Sequence, residues 1–130
     1  MLELKKNKTL ELLSNDKGFD VSAILKKELG LLEEDVIYGL KGSLKGQETF
    51  LITTKNKLIV LLKTVEKYLI QTVGLEEILS VQAYESQGSE SKVELIVRRT
   101  TNGTLTILGQ DGSSVKKMAR KLKILVAENR

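Results

Sequence analysis

Two kinds of stretch in this chain have residue types that could do chemistry. The first is Gly109-Gln110-Asp111-Gly112-Ser113-Ser114-Val115-Lys116-Lys117, a glycine-rich loop feeding a helical pattern. The free N–H groups at such a junction can cradle a phosphate. It lacks the Gly-Lys-Ser/Thr of a P-loop, however, and Asp111 would repel an anion. A strand-to-helix turn capped by Ser113 is the better account. The second kind is acidic: Glu33-Glu34-Asp35 and Glu76-Glu77. Sequence neighbours on a turn do not converge on one substrate, so these read as solvated turns. Histidine and cysteine are absent, which removes the usual general base near neutral pH, the thiol nucleophile and the commonest zinc ligands. A nucleophilic serine would need a lysine or carboxylate as base, and no Ser-x-x-Lys motif sits in a suitable context. The expectation is a protein that is not an enzyme, with no cofactor, no metal and no small-molecule substrate.

What the sequence does concentrate is positive charge. The formal net charge is +4, and residues 1–110 carry as many acidic as basic side chains, so the excess lies in the last twenty residues. There Lys116, Lys117, Arg120, Lys121 and Lys123 share one arc of a helical pattern, with Ile124 alone among them. Val115, Met118, Ala119, Leu122, Leu125 and Val126 fall on the opposite arc. A cation beside an anionic bilayer is worth about 1 kcal/mol, so five give roughly 5 kcal/mol at best. Ile124 would add about 2 kcal/mol if inserted. These magnitudes predict weak, salt-sensitive association with an anionic membrane surface and no stable anchoring. Nucleic acid is a poorer partner, because the chain has five aromatic residues and no evident stacking platform.

The elements that must position these residues follow from hydrophobic period. At 130 residues, one domain with one core is expected. Asp20-Val21-Ser22-Ala23-Ile24-Leu25-Lys26-Lys27-Glu28-Leu29-Gly30 predicts a short amphipathic helix, capped by Asp20 and stopped by Gly30. The preceding Leu2–Leu13 stretch leaves helix and hairpin open. Residues 1–33 are read as an N-terminal helical extension and 34–130 as the domain proper. From Glu34 to Gly109 the period is two. Seven strands are predicted in a near-unbroken meander, with turns at Lys45-Gly46-Gln47 and Lys55-Asn56. A further turn at Thr101-Asn102-Gly103-Thr104 carries the Asn-Gly hairpin signal. No apolar run is long enough to span a membrane. The charged start has no signal-peptide pattern, so a cytoplasmic location is expected.

Seven antiparallel strands followed by one amphipathic helix resemble the pleckstrin-homology superfold. The likeness is to bacterial pleckstrin-homology-like domains, carried by Glu33–Leu44 as first strand, by Leu51–Leu61 with Thr54-Lys55-Asn56-Lys57-Leu58-Ile59, and by Gly74–Gln82. The resemblance implies a mainly β, seven-stranded barrel or sandwich, its strands split four and three into two sheets, with the helix closing one corner. It also raises phosphoinositide binding, for which Lys41 and Lys45 would stand at the first part of the site. Glu48 then falls where a phosphate-binding cation belongs, so that activity is not expected.

Leu58–Leu62 is apolar at every position, whereas a strand with one wet face alternates. With Phe50, Ile52, Leu58, Val60 and Leu62 assigned to the barrel core, the other phase holds Leu51, Ile59, Leu61 and Leu69. Those four, left open together, form an apolar patch of the kind that marks an interface. Either the Val21–Leu29 helix folds over them, or another copy or another protein does. The expectation is an interaction module that associates with a protein partner, including itself, through this outer face. Weak binding of anionic lipid through the basic helix is the alternative.

Overall fold

The computed structural model describes residues 20–65, 67–86, 92–101 and 103–129. The ambiguous Leu2–Leu13 segment, the Gln87–Ser91 link and Asn102 lie outside the described residues. Helix α1 spans Val21–Leu29. It begins where expected, because the Asp20 carboxylate accepts the Ala23 N–H at 3.1 Å, and it ends at Gly30, which takes a left-handed φ of 66°. The strands are β1 Val36–Leu44, β2 Gln47–Thr54, β3 Lys57–Lys63, β4 Tyr68–Gly74, β5 Ile78–Glu85, β6 Val93–Arg99 and β7 Thr104–Gly109. Short 3-10 turns at Glu33–Asp35 and Leu75–Glu77 precede β1 and β5. Helix α2, Gly112–Glu128, closes the chain.

All seven strands are antiparallel in one sheet, ordered β4-β3-β2-β1-β7-β6-β5. The expected division into four and three strands survives as a corner in a continuous sheet. Strands β1 and β7 pair only at Gly42–Gly109 and Ser43–Leu108. Gly42 suits this corner, since a Cβ there would run into the Leu108 carbonyl oxygen.

Helix α2 fills the inside of the curled sheet, packing on β5, β6, β1 and β7. Its buried residues are Val115, Met118, Ala119, Leu122, Leu125 and Val126, the apolar arc read from the sequence. They join Leu40, Leu51, Leu58, Val60, Leu95 and Ile107 in the main core. The cap differs from expectation. Asp111, not Ser113, is the N-cap: its carboxylate accepts the Ser113 N–H at 3.1 Å and the Ser114 hydroxyl at 3.0 Å. An aspartate caps as well as a serine, and here it can serve several donors at once.

A second apolar cluster lies on the other side of the same sheet. Val21, Ile24 and Leu25 of α1 pack there on Val36, Phe50, Ile52, Ile59 and Leu61, with Tyr68 and Ile70 at the margin. Strands β2 and β3 are therefore covered on both faces, which is why Leu58–Leu61 does not alternate.

Candidate functional site

The two expected contact surfaces fare differently. In the apolar set, Leu51 points into the barrel and belongs to the main core, which corrects its assignment to the outer face. The reason is register. The two-residue turn at Lys55-Asn56 pairs Leu51 with Val60, Phe50 with Leu61 and Ile52 with Ile59, and directly paired residues share a face. Odd positions of β2 thus lie over even positions of β3, so Phe50 and Ile52 are outer residues and Leu51 is an inner one. Ile59 and Leu61 do lie on the outer face, and α1 buries both completely. Leu69, opposite Leu62, follows the inner phase but sits where the barrel opens and is 52% exposed. These four residues form no common open patch in the structure.

A polar contact joins α1 to the sheet margin. The Tyr68 hydroxyl donates to the Glu28 carboxylate at 2.9 Å. That bond holds the phenol above the ordinary tyrosine range, with desolvation and the Glu28 charge acting in the same direction.

The basic set remains on the surface. Lys117 stands one turn before Arg120 and Lys121 on α2, and the three line a cleft of about 490 Å³ with Ile124, Ile37 and Tyr38. The two isoleucines are large aliphatic side chains left open, Ile124 at 60% and Ile37 at 39% exposure. The Lys121 ammonium lies 5.7 Å from the Tyr38 ring centroid, within reach of a cation–π attraction. Lys116 is turned away and pairs with Glu85 of β5 at 3.2 Å. Lys123 is exposed but does not line the cleft. Three of the five expected cations thus converge and two do not.

Ile37 and Tyr38 were not among the expected site residues. Strand β1 slips register between Val36 and Tyr38, so Val36 faces α1, Ile37 turns outward and Tyr38 packs on the main core. Three apolar residues in a row, Val36-Ile37-Tyr38, cannot all follow one alternation, and that was the sequence signal for a bulge.

At the β1–β2 end, Glu48 takes the Lys41 ammonium at 2.8 Å and the Lys63 ammonium at 3.6 Å. The adjoining cleft of about 360 Å³ is lined by Lys41, Ser43, Glu48 and Gln110 among others. A phosphate entering it would meet the Glu48 carboxylate. At the start of α2, hydroxyl bonds from Ser114 and Ser113, the Ser113 N–H and nearby Lys117 hold the Asp111 carboxyl below its ordinary range. An ionised Asp111 closes that helix end to anions.

No family model matches this chain, and no curated protein does. Among solved structures, it is similar to the N-terminally truncated linker-DH/PH fragment of p115-RhoGEF, with a TM-score of 0.54 and 12% identity. The match covers 92% of this chain and 36% of that one. At that identity the likeness speaks to architecture alone, and the fold of this chain is pleckstrin-homology-like.

Proposed function

We propose that this chain is a cytoplasmic, non-catalytic interaction module, as the resemblance to bacterial pleckstrin-homology-like domains suggests, and that the exposed side of α2 docks it weakly on anionic membrane lipid. The observation that carries this reading is the convergence of Lys117, Arg120 and Lys121 with the open side chains of Ile37 and Ile124 around one cleft. Charge and apolar surface in one place suit a headgroup layer, where cations meet phosphates and aliphatic groups enter the acyl boundary. Three cations supply about 3 kcal/mol at most, so the association is reversible and falls with salt. The absence of histidine and cysteine supports a role without catalysis. The test is flotation with anionic and with neutral vesicles at low and moderate salt. The chain is expected to float with anionic vesicles at low salt and to lose most of that binding when Lys117, Arg120 and Lys121 are all changed to Glu. Absence of flotation at low salt removes the reading.

A second reading, protein association through the outer face of β2 to β4, requires α1 to leave Ile59 and Leu61. What favours it is the small attachment of α1, which holds to the sheet through three buried side chains, Val21, Ile24 and Leu25.

A further inference from the structure

Three clefts lined by described residues differ in charge. The one at the β1–β2 end has Glu48 in its walls, and the one beside Lys92 and Lys116 has Glu85. The cleft of Lys117, Arg120 and Lys121 has no acidic residue in its walls. Among the described residues none of these three cations is ion-paired, whereas Lys41 and Lys63 share Glu48 and Lys116 holds Glu85.

The acids that adjoin these elements in sequence are placed elsewhere. Asp111, near Lys117, has its carboxylate bonded to Ser114 and Ser113 at the start of α2. In the turn ahead of β1, Glu33 accepts from the Ser22 hydroxyl and Asp35 from the Leu32 N–H. Glu34 and Glu128 are exposed and lie outside the cleft walls. The Glu33–Asp35 turn would repel a broad plane of negative charge. Charge concentrated at one point inside the cleft meets the cations first.

Helical spacing sets the size of that point. Residues three and four apart have Cβ atoms about 5–6 Å from one another, so Lys117, Arg120 and Lys121 flank room for one phosphate. The Arg120 guanidinium offers two parallel donors to a pair of phosphate oxygens. The Lys121 ammonium is already placed, 5.7 Å from the ring centroid of Tyr38, which packs on the main core. A phosphate monoester presents three free oxygens and about −1.5 to −2 charge near neutral pH. A diester has two free oxygens and a single charge, and leaves one of the three cations without a partner. Ile37 and Ile124 line the same cleft, so a phosphate held there lies against apolar groups with no room for a sugar between.

We infer that the cleft takes a lipid of the phosphatidic acid type, its terminal phosphate monoester among Lys117, Arg120 and Lys121 and its glycerol end against Ile37 and Ile124. The inference rests on the membrane reading and names the headgroup for it. The full chain is titrated with neutral vesicles doped with phosphatidic acid or with phosphatidylglycerol, matched in surface charge. Binding to the phosphatidic acid vesicles is expected to be roughly five-fold tighter, the worth of one further engaged cation. Lys121→Gln should remove that preference, while Lys123→Gln, the same charge change outside the cleft, should keep it. Equal affinity for the two lipids overturns the inference and leaves the membrane reading standing. A preference that survives Lys121→Gln, or is lost equally in Lys123→Gln, does the same. Displacement from the vesicles by glycerol 3-phosphate, at a concentration matching the accessible lipid, would make a free monoester the ligand and overturns the lipid assignment. No binding to either vesicle at low salt removes both readings.

Discussion

The curled sheet has one amphipathic helix inside it and another on its outer face, and the two helices are built to different degrees. Helix α2 runs 17 residues and buries six side chains in a cluster that includes residues of all seven strands. Helix α1 runs nine residues and buries three, against residues of β1, β2, β3 and the margin of β4. The inner helix is part of what makes the curled sheet a closed body, since without it the sheet has no interior. The outer helix covers a face that the sheet already presents. One amphipathic period thus serves two roles, and the number of strands each helix reaches separates them. The far side of the inner helix carries the cations of the proposed contact surface, whereas the outer helix shields Ile59 and Leu61.

Substitutions in the two helices should therefore act unequally. Leu122→Ala opens a cavity in the main core and is expected to destabilise the whole fold by about 2–5 kcal/mol, seen as a lower denaturant midpoint with one cooperative transition. A smaller, local effect is expected from Leu25→Ala. It weakens the docking of α1 by about 2 kcal/mol, so hydrogen exchange should speed in residues 21–29 while β5, β6 and β7 stay protected. Equal loss of protection throughout would show that α1 is as integral as α2. A rise in mass for Leu25→Ala would favour protein association through the bared outer face.

The smallest effects are electrostatic and have opposite signs of pH dependence. Tyr68 has a raised pKa in the fold through Glu28, so its protonated form is favoured there. Its contribution is complete below the ordinary tyrosine range and is lost as pH rises through the raised value. Asp111 has a lowered pKa through Ser114 and Ser113. Its contribution is complete above the ordinary carboxyl range and is lost as pH falls through the lowered value. Thermal midpoints should therefore differ between the unmodified chain and Tyr68→Phe near neutrality and converge in strong alkali. The difference from Asp111→Ala should close in acid instead. Both gaps persisting at either extreme would separate these contacts from the two helix attachments.

Much of the fold was legible from local rules. Asp20 and Gly30 bound α1 because a carboxylate and a left-handed glycine meet needs of the backbone beside them. The Lys45-Gly46 turn has positive φ at both residues, as a two-residue hairpin requires. The apolar arc of α2 matched its buried set because a helix has one period and one core to face. The phase of β2 was harder. Phe50, Leu51 and Ile52 are all apolar and all fully buried, so hydrophobicity carried no information about which way each one points. The parity of the Lys55-Asn56 turn does, since it sets Leu51 opposite Val60. The cleft was half legible: its cations stood together on one helix, but Ile37 and Tyr38 come from the far end of the domain.

By itself the sequence determined the kinds of element, their order, their caps and turns, and the absence of histidine and thiol chemistry, because each of these depends on residues within a few positions of one another. Only the tertiary structure decided that Leu51 is inside, that α1 lies over Ile59 and Leu61, and that Ile37 and Ile124 line one cleft with three cations. Those outcomes depend on strand register and on where a helix docks. They are set by contacts between distant residues, and a one-residue slip would reverse every face.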